Sequence, residues 1–502
     1  MTSLQGREPA SFWRQTVPAI AAGDELPARA EVVVAGAGLA GLAAAWELAR
    51  AGRDVVVIDA DELGGRTTSR TTGKVSLLQG ATASQIRAHA GDEVLTAYLH
   101  ANAAGAEWMR RELSSLPAVW EERTAWTYAS TDDGLTVLRD EADAMSTAGY
   151  PVDLSGALPP DETGLPFAID GALRLTGQAQ VQPVVAAAAL VDRIRSAGGR
   201  FVDRCRMTGA HAKADRVEVE TDRGAITADR LVVATGTPVL DRALLFAALT
   251  PQRQAVAAFR LPDDSPPPTG MYLSVDPVGR SVRSAWDRDG APVVIVGGGT
   301  IETGREDSVG DLRDAIADWT REHYPGATPL TWWAAQDYRM ATRIPYAGAV
   351  RGGHDRIHAM TGFAKWGMTN APAAALALTG EITGEVPEWH SKLREHRAGL
   401  RDIGETVSHN AKTGAHLVQG WVAPGASSTS DRAEVVRDGV HPVAQSEVDG
   451  VVCRVSAVCT HLGGIVRWND AEATWDCPLH GSRFTREGRV IEGPATTNLA
   501  IP

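Results

Sequence analysis

Cysteine and lysine are both scarce in this chain. Four cysteines in 502 residues are too few for a disulfide-built fold. They suit a reducing compartment, so a cytoplasmic location is expected. Only five lysines occur (Lys74, Lys213, Lys365, Lys392 and Lys412), so arginine carries the surface charge and each lysine invites a specific role. No run of about 20 apolar residues could span a bilayer. Residues 1–30 also lack the basic start, apolar core and small-residue cleavage site of a secretory signal. Positive charge is in deficit: the formal net charge is −13, which disfavours nucleic acid and anionic membranes as partners. With 44% hydrophobic and 22% charged residues, the composition is that of a globular chain long enough for more than one domain.

The N-terminal third carries a nucleotide motif. Residues 31–35 (Glu-Val-Val-Val-Ala) read as a buried strand, Gly36-Ala37-Gly38-Leu39-Ala40-Gly41 as a tight turn, and Leu42 to Arg50 as a helix. Asp54 to Ile58 reads as a second strand ending in Asp59, eighteen residues after Gly41. In this βαβ order the glycines let backbone approach a pyrophosphate. The helix N-terminus offers unpaired N–H groups, and the acid accepts ribose hydroxyls. The hydroxyl-rich loop Arg66-Thr67-Thr68-Ser69-Arg70-Thr71-Thr72-Gly73-Lys74 follows, and Leu231-Val232-Val233-Ala234-Thr235-Gly236 reads as a later strand and small turn. Gly362-Phe363-Ala364-Lys365-Trp366-Gly367-Met368 precedes an Ala-rich helix. Val293 to Thr300 imitates a second nucleotide strand, but Glu302 stands at the third glycine position. It is expected to be a substrate-domain strand, which leaves NAD(P)H without a site.

Together these segments resemble the D-amino-acid-oxidase-like superfamily of FAD-dependent oxidoreductases, and in particular a bacterial branch with a C-terminal Rieske domain. The resemblance implies FAD held by Gly36, Gly38, Gly41 and Asp59 at the adenosine diphosphate end. Arg66, Thr67, Thr68, Thr72 and Lys74 would line the path towards the flavin, and Met207 would meet the adenine. Ala234, Thr235 and Gly236 would form the later turn, and Gly362, Trp366, Gly367 and Met368 would lie beside the flavin ring. Lys365 and Lys74 are the candidate catalytic residues. Tyr338, Arg339, Arg343 and Tyr346 are candidates for a substrate pocket, where an arginine could hold a carboxylate by two parallel hydrogen bonds.

Near the C-terminus, Cys459-Thr460-His461 and Cys477-Pro478-Leu479-His480 are separated by fifteen residues. Two Cys-His pairs on glycine-flanked loops fit a Rieske [2Fe–2S] cluster, with thiolates on one iron and imidazoles on the other. Zinc is the alternative for two Cys and two His, but the Cys-x-His spacing is not that of a zinc finger. The Rieske proteins of cytochrome complexes carry an extra cysteine in each loop. Gly464 and Leu479 stand at those positions here, so no bridge forms. Phe484 replaces a sulfur-donating tyrosine, whereas Ser482 is kept. Fewer donors to sulfur imply a potential in the lower part of the roughly −150 to +300 mV range.

The expected architecture is α/β: a Rossmann-type FAD-binding domain with an inserted antiparallel-sheet substrate domain, plus a C-terminal all-β Rieske domain. Residues 1–425 form the oxidoreductase region and 426–502 the Rieske domain. A helical segment covers 388–421, and a Ser-rich linker covers 424–430. His409 and His416, seven residues apart, share a helical face; a solvated interdomain helix is the simpler reading than a metal site. Cys453, in a strand-like run, reads as a buried free thiol. The expected function is oxidation of a C–N bond of an amine or amino acid. Electrons would pass from flavin to cluster and then to a one-electron carrier protein or quinone. The reverse direction, and an electron-storage protein without its own substrate, are the alternatives. Relative potentials of the two centres discriminate the first two, and flavin bleaching by a small molecule excludes the third.

Overall fold

The computed structural model describes residues 3–21, 23–116, 119–240, 242–305, 308–395, 413–417, 419–421 and 433–502. The first sheet has eight strands, with spatial order 346–349, 357–361, 224–233, 29–35, 55–58 and 200–202, and a side hairpin of 207–212 and 217–221. Strand Arg29–Ala35 runs parallel to both Val55–Ile58 and Gly224–Val233. Val32, Val33 and Val34 are all fully buried, as in a parallel sheet covered on both faces. Helix Leu39–Arg50 packs its Leu42, Ala45 and Leu48 side against that sheet. The Ala-rich helix Gly367–Thr383 lies across both this helix and the long helix Asp92–Leu113. A methyl group at Gly105 would meet the Thr369 carbonyl at 2.0 Å, so the two helices cross at backbone contact.

The second sheet has nine strands, antiparallel except where Met271–Ser274 runs beside Trp120–Ala129. Residues 292–302, the false nucleotide strand, lie inside it between 249–260 and 280–286. Helix Val309–His323 covers one face. Strand Gly171–Val181 passes directly into helix Pro183–Ser196, whose Gln182 side chain caps the first turn by accepting from Val184 N and Val185 N.

The C-terminal part is all-β, with a three-stranded sheet (433–438, 441–448, 451–456) and a four-stranded one (467–469, 474–476, 483–485, 490–492). The expected boundary at 425/426, the linker 424–430 and His409 lie outside the described residues. Helix Glu388–Glu395 and residues 413–417 are helical within the expected segment. Cys453 is only half-buried, because strand Val451–Ser456 lies at the edge of its sheet with Val451 and Val452 exposed.

The C-terminal part docks on the second sheet through buried charge. Arg253, on strand Leu249–Arg260, is wholly buried and pairs with Glu472 and, at 3.7 Å, with Glu492. Arg483 meets Glu472 at 3.0 Å, Asp476 at 3.0 Å and Glu492 at 3.6 Å. Arg70, from the hydroxyl-rich loop, reaches Glu492 at 3.6 Å. Three guanidinium groups thus face three carboxylates. Burial alone would raise the pKa values of Glu472 and Glu492, but the arginines outweigh it and hold both below the usual carboxylate range. Removing one member of such a network strands the others without water. Arg253→Leu should therefore cost about 3–5 kcal/mol in the urea transition followed by the visible circular dichroism of the cluster. A loss of only about 0–1 kcal/mol, as for a surface pair, would contradict this.

Candidate functional site

The nucleotide motif opens onto a long cleft. Gly36, Gly38, Asp59, Arg66, Thr67, Thr68, Thr72, Met207, Ala234, Thr235 and Gly236 line one stretch of it, and Gly362, Lys365, Gly367 and Met368 the other. Gly41 does not face the cleft. A methyl group there would lie 1.8 Å from the Gly36 carbonyl, so it lets the helix pass under the turn. Gly36 adopts φ +109°, and its own added methyl group would strike the Ala234 carbonyl at 2.4 Å. The Thr68 hydroxyl accepts from Leu39 N at 2.8 Å, capping the first helical turn. The Asp59 carboxylate accepts from Ala37 N at 2.6 Å and Asp61 N at 2.8 Å. Burial nevertheless pushes its pKa up to about 6, so a buried acid faces the cleft where ribose hydroxyls could donate to it. This glycine-walled, acid-tipped cleft ending at a helix N-terminus fits a dinucleotide.

A second, larger cavity of about 550 Å³ adjoins the cleft, and both share Gly362, Phe363 and Lys365 as walls. Arg339, Arg343, Trp366 and Lys74 line it. Lys74 and Trp366 therefore face this larger cavity rather than the nucleotide cleft. The reason for Lys74 is local. Gly73 turns at φ +71° and the chain enters strand Lys74–Val75 of the second sheet. Its Nζ donates to the Tyr272 carbonyl at 2.6 Å and lies 2.7 Å from Ser281 Oγ. Burial, with Arg283 nearby, lowers its pKa to about 7. Lys365 sits where cleft and cavity meet. It adopts φ +75° directly after Ala364 at φ +49°, two left-handed residues in succession and a strained turn. The cleft walls strip water from its amine and lower its pKa to about 8, although Asp337 opposes this. Tyr338 lines the nucleotide cleft instead, and Tyr346 a separate apolar cavity of about 320 Å³.

The two C-terminal loops repeat one geometry. Cys459 N donates to the Gly464 carbonyl at 2.8 Å and Gly463 N to the Cys459 carbonyl at 3.0 Å; Cys477 N donates to Ser482 O at 2.8 Å and Gly481 N to Cys477 O at 3.1 Å. Gly463 and Gly481 turn at φ +74° and +77°. Each cysteine sulfur then accepts from two backbone N–H groups, of His461 and Leu462 in one loop and of Leu479 and His480 in the other, and Ser482 adds a side-chain donor to Cys459. The His461 and His480 rings lie 5.1 Å apart. Two paired thiols in an amide cage beside two adjacent imidazoles match the donors of a [2Fe–2S] cluster with unlike irons. A methyl group at Gly464 would strike Leu479 Cγ at 2.6 Å, so these two positions face each other with an isobutyl group between the loops. Phe484 is fully buried in the same core.

Several lining residues had no motif to announce them. Ile491, Glu492 and Gly493 of the C-terminal part close one wall of the nucleotide cleft. Phe246 stands edge-on to both imidazoles, at 4.9 and 5.0 Å. Gln336 and Arg253 did leave a trace. In strands Thr328–Met340 and Leu249–Arg260 they are polar residues within otherwise apolar buried rows.

The FAD dependent oxidoreductase (DAO) family model matches residues 31–380, and the Rieske [2Fe-2S] domain model matches 424–502. The chain belongs to the FAD-dependent oxidoreductase family. It carries a Rieske domain, and its cofactors are FAD and a [2Fe–2S] cluster. It is 28% identical over 98% of its length, and 97% of the relative's, to the putative Rieske 2Fe-2S iron-sulfur protein YhfW of Bacillus subtilis (strain 168). A 47-residue stretch is 51% identical to the cytochrome b6-f complex iron-sulfur subunit of Microcystis aeruginosa, covering 9% of this chain and 26% of that one. In fold it is similar to the L-proline dehydrogenase of P. horikoshii (TM-score 0.60, 17% identity, 75% of this chain and 100% of that one). A second likeness is to the L-amino acid deaminase of Proteus vulgaris (TM-score 0.59, 16% identity, 74% and 98%). Among the described residues no helix is long and apolar enough to cross a membrane.

Donors to sulfur raise a cluster's potential by stabilising its reduced form. Phe484→Tyr is expected to raise the midpoint potential in an EPR-monitored titration, and Ser482→Ala to lower it. Unchanged values in both variants would remove these positions from the control of potential.

Proposed function

We propose that this oxidoreductase oxidises the C–N bond of a carboxylate-bearing amine. Its electrons would leave singly through the cluster to an external one-electron carrier or quinone. The observation that carries this reading is the continuity of the site. One cleft is walled in part by Gly493 and Glu492 of the cluster-bearing part and shares Gly362, Phe363 and Lys365 with the cavity lined by Arg339 and Arg343. The guanidinium groups of Arg339 and Arg343 and the amine of Lys365 face that cavity against the single acid Asp276. In a chain of net charge −13 this local excess favours an anionic substrate. The fold neighbours whose names describe amino-acid dehydrogenation, oxidation or deamination support the same chemistry.

FAD, when bound, supplies the hydride acceptor, and the cluster accepts single electrons. The chain's own residues do the rest. Arg339 or Arg343 holds the carboxylate, in the paired geometry that favours arginine over lysine. Lys74, held by Tyr272 and Ser281 and with its pKa lowered to about 7, takes the proton from the substrate ammonium, so that a neutral amine faces the flavin. Lys365 fixes the rim between cavity and cleft, where its Nζ lies 2.5 Å from Thr300 Oγ1. Positioning is then the main catalytic contribution.

An anaerobic screen of amines, amino acids and dicarboxylic amino compounds tests this. Bleaching of the flavin followed by the EPR signal of the reduced cluster is the expected result. A chain in which an external ferredoxin reduces both centres, while no amine bleaches the flavin, would contradict it. Because neutral lysine is the base, the rate of flavin reduction should rise as pH increases through about 7. Lys74→Met should lower the rate by about 10²–10⁴-fold, the usual worth of a general base, and abolish that inflection. An inflection that survives in Lys74→Met would assign the proton to another group.

A further inference from the structure

The dock between the two halves is polar where it approaches the ligand loops. Gln336 and Arg253 are direct cross-strand partners on neighbouring antiparallel strands, so their side chains leave the same face of the second sheet. Arg253 takes the carboxylates described above. Gln336, 2% exposed, does something different. Its Nε2 donates to the Gly481 carbonyl at 2.8 Å and lies 2.8 Å from the Tyr338 hydroxyl. Its Oε1 accepts from Thr303 at 2.9 Å, and its backbone carbonyl accepts from the Thr67 hydroxyl at 2.7 Å. Thr67 and Gln336 both line the nucleotide cleft, and Gly481 is bonded directly to the candidate ligand His480.

Building on the proposed function, we propose that Gln336 is the electronic bridge between the two cofactors. Coupling decays more slowly along covalent and hydrogen bonds than across a gap. From the cleft wall to the imidazole of His480, the path through Gln336 crosses one hydrogen bond and is otherwise covalent. Phe246 is the competing route, since it touches both imidazoles. It does not line the cleft, however, whereas Gln336 touches both ends. The contact is also built for close approach. Gly481 turns at φ +77°, and a methyl group there would strike Pro251 Cβ at 2.5 Å and crowd Gln336 Nε2 at 3.1 Å. Arg305 Nε, donating to the Pro478 carbonyl at 3.2 Å, holds the same loop from the other side.

Each transfer removes one electron from the reduced flavin and converts one ferric ion of the cluster to ferrous. A flavin carrying two electrons therefore needs two such transfers, with the one-electron acceptor reoxidising the cluster between them. Gln336 gains and loses nothing; it is a positioning residue whose effect is on rate alone.

The test uses the full holoenzyme without substrate, its flavin reduced photochemically under anaerobic conditions. Rapid-freeze EPR and absorbance then follow the passage of electrons to the cluster. Gln336→Leu, and Gln336→Met should the first lose its cluster, are expected to slow the inter-cofactor rate several-fold. Both midpoint potentials and the cluster g values should stay those of the wild type. Thr303→Val, which removes the contact of Oε1 and leaves the Gly481 bond, should keep the wild-type rate. An undiminished rate in the Gln336 variants overturns the bridge, as does slowing that comes only with altered potentials or g values, which marks a structural role. If wild-type flavin never reduces the cluster, the reading beneath falls and the bridge with it. If electrons pass but no amine bleaches the flavin, the bridge stands and the substrate assignment fails.

Discussion

The C-terminal part is held to the rest of the molecule by charge taken out of water. Arg253 and Arg483 are at most 2% exposed, and the carboxylates of Glu472, Asp476 and Glu492 are at most 10% exposed. Desolvating that many ions is costly, and the mutual attraction recovers the cost only when every member is in place. The arrangement therefore tolerates one docking geometry and penalises slightly displaced ones. That selectivity matters because Glu492 both closes the ion network and walls the nucleotide cleft. The position of the cluster loops and the shape of the cofactor cleft are set by the same few side chains.

Around that dock the two halves supply complementary surfaces. The sheet face presents Pro251, Arg253, Gln336 and Tyr338, which are cross-strand pairs on two strands. The C-terminal part presents Gly481, Glu472 and Gly493. The imidazole side of the ligand loops faces inward: His480 is 7% exposed, and Phe246 lies against both rings. On the reading proposed above, electrons enter the cluster from this covered side, and the external carrier meets a different face of the domain. On the same reading, the cavity that takes the substrate shares Gly362, Phe363 and Lys365 with the cleft that Glu492 and Gly493 help to wall.

Much of this was legible locally. The strand–turn–helix–strand run from Glu31 to Asp59 states its own geometry, because period, glycine spacing and terminal acid are all short-range. The two cysteine-histidine loops are equally self-contained: each closes on itself with the same two backbone bonds. What was not legible depends on where the chain goes next. Lys74 follows Thr72 by two residues and reads as part of the same loop, yet Gly73 turns it into another sheet and another cavity. Gly41 shares a motif with Gly36 but serves helix packing. The dock is a meeting of residues far apart in the chain, 145 positions for Gln336 and Gly481 and 219 for Arg253 and Glu472, and its trace was an arginine and a glutamine inside apolar rows. A polar residue at a buried register marks a partner that local pattern alone does not identify.

On the proposed reading, flavin and cluster belong to one electronic unit inside one chain. The most direct measurement is the rate at which photoreduced flavin passes an electron to the cluster, taken across a wide range of protein concentration. The structure predicts a first-order rate that does not change with dilution. A rate proportional to protein concentration, or a cluster that stays oxidised, would show that the two centres do not exchange electrons across this dock.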